Sequence, residues 1–297
     1  MKQIFSKITA GLLAAVLLLC TLSGCVRRTA EKPSFRVMTS FYPVYIMAVN
    51  ITNGIDGVQV SDMAGQQTGC LHDYQLQSSD MQALSSADLF IINGAGMESF
   101  MTKVTDQLPK LTVLDSSTNV PRITDETGEV NPHMWVSISS YIIQVQNIAA
   151  GLAKADHTHA VQYQKNSDVY LKKLENLRTR MHTALDPLPN RNIITFHEAF
   201  PYFAKEFDLN IVQTVQREPD SQPSAKELAE SIRLIRSSGV KAVFAEPQYE
   251  QSAAKIIAQE SGASMYSLDP AATGSNDVNA YLDAMEKNMQ TLQRALR

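Results

Sequence analysis

Six histidines occur in the chain, and their sequence contexts divide them into two groups. One group lies in or beside a polar stretch and is predicted to be solvated: His157, His159 and His182. The other group lies at junctions between strand-like and helix-like segments, where α/β folds build ligand sites: His72, His133 and His197. Neutral imidazole is a common metal ligand, but these three residues are too far apart for a local motif such as HExxH. A metal site made of them requires a fold that brings them together.

Short β-rich runs alternate with helical stretches from Ser34 onward, a pattern typical of α/β units around mainly parallel sheets. The first series predicts strands at 35–39, 58–60, 89–93 and 111–115, with helices at 78–87 and 98–107. The second series predicts strands at 192–195, 211–215, 241–245 and 264–268, with helices at 199–206, 224–238 and 251–261 and a last helix from about 276. Two lobes of the same kind are expected, each with a mainly parallel sheet flanked by helices.

Between the two series, residues 138–185 carry no strand signal. One predicted helical face contains Tyr163, Tyr170, Leu174, Leu177, Met181 and Leu185. This spacing predicts a rigid backbone helix from near Thr158 to Leu185, about 28 residues and about 42 Å long. Pro187 and Pro189 follow it and prevent its continuation. Such a rod can pack against both lobes, and a two-helix hairpin within one domain is the alternative.

The N-terminus predicts an export signal, because Lys2 and Lys7 accompany an uncharged apolar run at 8–22. This run is shorter than the roughly 20 residues of a membrane span. The sequence Leu22-Ser23-Gly24-Cys25 resembles the bacterial lipobox, in which cleavage leaves a lipidated cysteine; an ordinary signal peptide is the alternative. The predicted organisation is a signal peptide at 1–24, a tether at 25–33, an N-terminal lobe at 34–137, linking helices at 138–186 and a C-terminal lobe at 187–297.

Composition excludes two broad classes of protein. Apolar residues make up 44% of the chain and charged residues 19%, which argues against a largely disordered chain. The formal net charge is -4 and no basic block occurs, which argues against a nucleic-acid partner. Cys20 leaves with the predicted signal and Cys25 takes the lipid, so Cys70 has no partner for an intramolecular disulfide.

Four segments carry a resemblance that covers essentially the whole predicted mature chain. They are Gly69-Cys70-Leu71-His72, Asn131-Pro132-His133-Met134-Trp135, His197-Glu198-Ala199-Phe200-Pro201-Tyr202-Phe203 and Leu268-Asp269-Pro270. Together they resemble the ZnuA-like lipoproteins, the receptors of zinc and manganese ABC importers. The resemblance implies an inter-lobe metal held by His72 and His133 of the first lobe and by His197 and Asp269 of the second.

This resemblance also implies partners and a mechanism. It implies a lipid-anchored monomer outside the cell that delivers its ion to a permease driven by a separate ATPase. It further implies that the long helix limits hinge motion, and that the chain has no catalytic role. Because imidazole must be neutral to bind a metal, acidification towards a histidine pKa of about 6.5 is expected to weaken binding.

The predicted donor set favours zinc over manganese. Imidazole suits Zn²⁺, whereas manganese sites prefer oxygen donors. Manganese-binding members of the family generally have Glu at the third position, where this chain has His197. The neighbouring Glu198 would become the ligand if the alignment were shifted by one residue. Glu246 is an alternative to Asp269 as the fourth ligand, or it accepts a hydrogen bond from an imidazole.

Two features of the first segment depart from the family pattern. Leu71 replaces the usual proline, and Cys70 stands two residues before His72. A cysteine that pointed inward would be a thiolate ligand with high zinc affinity, although its side chain is expected to diverge from that of His72.

Two other functions use the same residues. A zinc hydrolase would need an open coordination position and a general base, for which Glu198 and Glu246 are the candidates. A surface adhesin would use the metal only to stabilise its structure.

Overall fold

Each half of the molecule contains a four-stranded sheet in which neighbouring strands run parallel. The computed structural model describes residues 34–66, 68–71, 74–124, 128–215 and 223–297. The strands are β1 (Phe35–Thr39), β2 (Val58–Asp62), β3 (Leu89–Ile92) and β4 (Val113–Asp115) in the first sheet, and β5 (Asn192–Thr195), β6 (Asn210–Thr214), β7 (Ala242–Ala245) and β8 (Ser264–Ser267) in the second. The predicted α/β class with two parallel-sheet lobes is confirmed.

The two sheets share one strand order, β2-β1-β3-β4 in the first and β6-β5-β7-β8 in the second. In parallel sheets of this order, a crevice opens at the carboxyl ends of the two strands where the winding direction reverses. That position lies between β1 and β3 in the first lobe and between β5 and β7 in the second. Loops that leave these strand ends are therefore placed to bind a ligand.

Helices flank the parallel strands, whose connections cannot be tight turns. They are α1 (Tyr42–Thr52), α2 (Ser78–Ser85), α3 (Met101–Gln107), α4 (Ile138–Ala155), α5 (Ala160–Leu185), α6 (Pro201–Glu206), α7 (Ala225–Ser238), α8 (Ser252–Ser261) and α9 (Ala280–Ala295). Local sequence signals set some of their ends. In α7, the Ser224 hydroxyl accepts the Glu227 N–H, the Glu227 carboxylate accepts the Ser224 N–H, and Gly239 closes the helix at φ 68°.

The long helix α5 begins at Ala160, directly after a 3₁₀ turn at His157–His159. Its buried residues are Tyr163, Ser167, Tyr170, Leu174, Leu177, Met181 and Leu185, which include all six of the predicted face. α5 contacts α4, and it also contacts α1 of the first lobe and α9 of the second. The long helix is confirmed, and it packs against both lobes rather than within one domain.

The two lobes also meet directly through buried aromatic side chains. The indole N–H of Trp135 donates to the carbonyl of Pro270 at 2.8 Å, and the Tyr281 hydroxyl donates to the carbonyl of Trp135 at 2.9 Å. A single apolar cluster contains residues of both sheets, including Phe90 and Phe244. The lobes therefore share one continuous core in addition to the long helix.

Some predicted features lie outside the described residues. They are the export signal at 1–24, the tether at 25–33 with Cys25, and His72. The lobe boundaries drawn at 137 and 186 stay a prediction. Within the described ranges, no helix combines the length and apolar character that a membrane crossing needs.

Candidate metal centre

Side chains from three separate stretches of the chain meet in one place. Cys70, His133 and His197 each offer one ligand atom, and these atoms lie within 4.8 Å of one another. The rings of His133 and His197 stand edge to face, with centroids 4.8 Å apart. Two ligand atoms on one tetrahedral zinc lie roughly 3.5 Å apart. If the distances between these ligand atoms shortened by about 1 Å, all three could bind a single ion. Because His197 belongs to the second lobe and the other two to the first, this group joins the lobes.

The second lobe presents His197 and Glu246 at its crevice. His197 lies two residues beyond Thr195, where β5 ends, and Glu246 directly follows Ala245, where β7 ends. His197 Nδ1 lies 3.0 Å from Glu246 Oε1, and both side chains are 2% exposed. With its proton on Nδ1, the ring donates to the carboxylate and keeps a lone pair on Nε2. Among the described residues this buried Nε2 has no hydrogen-bond partner, as expected for a nitrogen that binds a metal.

The Glu246 carboxylate is held through both of its oxygens. Oε1 faces His197, and Oε2 accepts a hydrogen bond from the Gln248 amide at 3.2 Å. Burial raises the pKa of Glu246, while the hydrogen bond and the charge interaction with His197 lower it. A carboxylate on Nδ1 makes the opposite nitrogen a better electron donor to a cation.

In the first lobe, His133 is oriented by Asn131. The Asn131 side-chain oxygen accepts the backbone N–H of His133 at 3.0 Å and lies 3.1 Å from His133 Nδ1. This contact favours the tautomer with its proton on Nδ1, so that Nε2 is the nitrogen that can bind a metal. The Asn131 amide also donates to the carbonyl of Glu198 at 2.9 Å. One side chain therefore orients His133 and connects it to the segment that carries His197.

A buried polar network fixes the backbone in front of His133. The Asn93 amide donates to the carbonyl of Pro132 at 3.0 Å, and the Asn93 side-chain oxygen accepts from Gln144 at 3.0 Å. The Glu98 carboxylate accepts the backbone N–H groups of Asn93 and of the next residue at 2.8 and 3.0 Å. Burial raises the pKa of Glu98 to about 7, although these hydrogen bonds oppose the shift. The network anchors this segment to the end of β3.

The loop with Cys70 is shaped by its two neighbours. Gly69 has φ +79°, a conformation that L side chains rarely adopt, and a Cβ there would lie 2.7 Å from the Tyr249 hydroxyl oxygen. Leu71, which replaces the family proline, is fully buried in the core. The Tyr249 ring also packs edge to face against His197, with centroids 6.2 Å apart. Gly69 and Leu71 therefore hold Cys70 close to the second lobe.

Two of the four predicted metal ligands, His133 and His197, come together in this group. His72 lies outside the described residues. Asp269 is described but is not a member of the group, and its Oδ1 accepts the N–H of Ala271 at 2.8 Å. Burial raises the pKa of Asp269. The roles of His72 and Asp269 as ligands stay predictions, while the alternative ligand Cys70 is the third member of the group.

The aromatic residues near the site have packing roles. Phe41 and Trp135 are fully buried, and their rings meet edge to face with centroids 5.0 Å apart. The Trp135 ring also contacts the ring of His133, at a centroid distance of 5.2 Å. They form the wall behind His133.

Sequence reasoning missed three residues that shape the site: Asn93, Asn131 and Tyr249. Asn131 carried a usable signal, because it lies two residues before His133. The side-chain oxygen of an asparagine readily accepts a hydrogen bond from the backbone N–H two residues later. The other two act through long-range contacts and have no local signal. Of the two roles considered for Glu246, the structure shows the hydrogen-bond acceptor of an imidazole.

Comparisons with known proteins identify the family of this chain. The family model described as "Zinc-uptake complex component A periplasmic" matches residues 37–295. The zinc-binding protein AdcA of Streptococcus pyogenes serotype M3 is 27% identical over 287 residues, covering 87% of this chain and 55% of the relative. The chain therefore spans about half the length of that relative. The iron-binding protein YfeA of Yersinia pestis is 30% identical over 241 residues, covering 79% of this chain and 76% of YfeA.

Solved structures show the same fold. The Zn(II)-bound ZnuA-like domain of Streptococcus pneumoniae AdcA superposes with a TM-score of 0.78 at 26% identity, covering 88% of this chain and 98% of that domain. FpvC of Pseudomonas aeruginosa in complex with Mn²⁺ gives a TM-score of 0.79 at 28% identity, with coverages of 88% and 98%. Since the family model matches most of its length, the chain belongs to the ZnuA family of metal-binding substrate-binding proteins, which are receptors rather than enzymes.

Proposed function

We propose that this chain is an extracytoplasmic receptor that binds a zinc ion between its two lobes and delivers it to an ABC importer. The observation that carries the proposal is the buried Nε2 of His197, which has no hydrogen-bond partner among the described residues. It belongs to the same group of ligand atoms as His133 and Cys70, and the opposite nitrogen of its ring is held by Glu246. Burying a polar nitrogen without a partner is unfavourable, and a bound cation would remove that cost.

The donor atoms of the group support zinc as the cargo. Imidazole nitrogen and thiolate sulfur suit zinc, whereas carboxylate and carbonyl oxygen suit manganese. The metals bound by relatives do not decide the question, because FpvC structures contain Mn²⁺ or Ni²⁺ and the AdcA domain contains Zn(II). The chemistry of this chain's own residues therefore carries the assignment.

The proposed site contains His133 and His197, with His72 as a third nitrogen donor from the segment that is not described. Asp269, the anionic ligand predicted from the family resemblance, is not a member of the group of ligand atoms. Glu246 acts from behind His197 and adds a negative charge without contacting the ion.

The partner and the membrane anchor are part of the same proposal. The ion would pass to a permease coupled to a separate ATPase, and the receptor would be held at the membrane as a monomer through a lipid on Cys25. The lipobox-like sequence at 22–25 supports this anchor, and so does the name of a relative, the zinc-binding lipoprotein AdcA of Streptococcus pneumoniae. When the full chain with Cys25→Ala is expressed in cells fed labelled lipid, the chain should carry no label. A labelled variant chain would contradict the anchor.

Metal titration of the chain from Ser34 onward tests the binding function. Ser34–Arg297 forms a compact unit with its own core, so this segment should fold alone. We expect one zinc ion per chain, a manganese affinity at least about tenfold lower, and loss of tight zinc binding in a His133→Ala/His197→Ala variant. Equilibrium competition against a chelator of known affinity measures all three.

A second double variant serves as the matched control. His157→Ala/His182→Ala removes two histidines that lie away from the metal centre, and it should bind zinc like the unmodified chain. Equal zinc affinity in both double variants would refute the proposed site. Equal affinities of the unmodified chain for zinc and manganese would refute the choice of zinc.

A further inference from the structure

We propose that the Cys70 thiolate is a direct ligand of the transported ion and occupies the anionic position predicted for Asp269. This inference rests on the proposed metal-binding function and specifies its donor set. Cys70 is a member of the group of ligand atoms that lie within 4.8 Å of one another, whereas Asp269 is not. The other two members, His133 and His197, are held in place by contacts that do not involve Cys70, with Asn131 and Glu246.

The second observation is the buried nitrogen of His197. His197 is 2% exposed, and its Nε2 has no hydrogen-bond partner among the described residues, so the ring offers this lone pair to the group that contains Cys70. The Nδ1 atoms of both histidines face acceptors, on Glu246 and Asn131. Two oriented imidazoles therefore converge on the region that the sulfur also borders.

The backbone around Cys70 explains why the sulfur lies there. Gly69 adopts φ +79° directly beneath the Tyr249 hydroxyl, and Leu71 inserts into the core on the other side of Cys70. A Cβ at position 69 would lie 2.7 Å from the Tyr249 oxygen, so the loop approaches the second lobe closely only with glycine there. Cys70 itself is half-buried.

Charge balance also favours one thiolate. When a metal binds a thiol, the S–H bond breaks and its proton passes to solvent, while the metal–sulfur bond forms with a sulfur lone pair, so the ligand carries one negative charge. Glu246 contacts His197 and is not a member of the group of ligand atoms, so the thiolate would be the one anionic donor of that group. The Asp269 carboxylate accepts the N–H of Ala271.

A sulfur ligand has a consequence for specificity. Thiolate selects zinc and other thiophilic ions, and it disfavours manganese. The preference of this receptor for zinc over manganese should therefore depend on one atom in the loop that follows β2.

Cobalt substitution provides the test. Co²⁺ bound to thiolate shows an intense near-ultraviolet charge-transfer absorption, which nitrogen and oxygen ligands do not produce. The chain from Ser34 onward contains no cysteine other than Cys70, so this band reports on one residue. We expect the band in the unmodified chain and in Asp269→Asn, and its loss in Cys70→Ser with cobalt still bound through the histidines.

Affinity and reactivity give independent readouts. Cys70→Ser should lower zinc affinity by more than about tenfold, the smallest effect expected for an outer-sphere group, and should narrow the ratio of zinc to manganese affinity. Zinc should also protect the thiol of the unmodified chain from alkylation by iodoacetamide. Thermal unfolding of metal-free Cys70→Ser should match the unmodified chain, which separates ligation from folding.

The outcomes distinguish this inference from the proposed function. If cobalt binds stoichiometrically without the charge-transfer band, Cys70 is not a ligand, although the receptor function stands. If the band is lost in Asp269→Asn and persists in Cys70→Ser, the inference is also overturned. If neither zinc nor cobalt binds the unmodified chain, both the inference and the proposed function fail.

Discussion

The second lobe places His197 and Glu246 at the ends of neighbouring strands. In the first lobe, Cys70 and His133 lie in irregular segments that are several residues along the chain from the preceding strands, β2 and β4. In the second lobe, a buried carboxylate orients the imidazole through one charge-assisted hydrogen bond. In the first lobe, the neutral amide of Asn131 orients His133, and a buried polar network holds the backbone. Strand ends therefore fix one half of the site, and hydrogen-bonded loops fix the other.

This difference explains where the chain departs from its family. Leu71 and Cys70, the two departures from the family pattern, both lie in the first lobe, and so does Asn131, which orients His133. Loops tolerate substitution more readily than strand ends, since their backbone is not tied into a sheet ladder. We infer that the first lobe adjusts metal preference, while the second lobe supplies a constant anchor. Three substitutions, ordered by their expected effect on zinc affinity, test this comparison.

Glu246→Gln should have the largest effect of the three. The amide can still accept a hydrogen bond from His197 Nδ1, but the negative charge that strengthens the Nε2 donor is lost. Zinc affinity should fall about 10- to 100-fold, as is typical for outer-sphere carboxylates. Chelator competition measures the change. Glu250→Gln, an exposed acid in the same loop, is the matched control and should bind zinc normally.

Asn131→Ala should have an intermediate effect of about tenfold, at the lower end of the range for outer-sphere groups. The substitution removes the acceptor of His133 Nδ1 and the bond to the Glu198 carbonyl, but it removes no charge. Asn131→Asp retains the acceptor and should recover most of the lost affinity. The comparison between lobes would fail if Asn131→Ala weakened zinc binding more than Glu246→Gln does.

The α/β architecture could be predicted because most of its elements carry periodic or β-rich signals. The strand at 192–195 was predicted with the observed ends, and the long helix within two residues of its start. Helix α1 was missed. Nine of its eleven residues are buried, so it has no polar face and its sequence lacks the contrast between apolar and polar residues that reveals a helix.

The candidate site was partly predictable for a different reason. His133 and His197 lie in sequence strings that resemble family motifs. The family resemblance therefore identified them as metal ligands, although their spacing matches no local metal-binding motif. The position of Cys70 depends on Tyr249, which is distant in sequence, and on the left-handed conformation of Gly69. Neither property can be read from the local sequence. The contact between His197 and Glu246 arises from β5 and β7 being neighbours, which requires the strand order.

Glu98→Gln should have the smallest effect on zinc affinity, because Glu98 reaches His133 only through Asn93 and Pro132. Its clearest effect should be on the pH dependence of stability. Burial raises the pKa of Glu98 from 4.5 to about 7, so between these values the folded chain keeps a proton that the unfolded chain has lost. The free energy of unfolding should therefore fall as pH rises through this window, by about 3 kcal/mol at most from this group.

Glutamine mimics the protonated carboxyl and does not titrate. In the Glu98→Gln variant, the free energy of unfolding should therefore not show the decrease with pH that Glu98 causes. Urea denaturation of the metal-free chains at pH 5, 6, 7 and 8 measures the difference. The unfolding free energy of the variant, relative to the unmodified chain, should rise with pH. Asp62, whose pKa burial also raises to about 7, titrates in both chains and cancels in the comparison. If the unfolding free energies of the two chains changed in parallel with pH, Glu98 would be ionised throughout the range. The network behind His133 would then contain a charged carboxylate, as the second lobe does at Glu246.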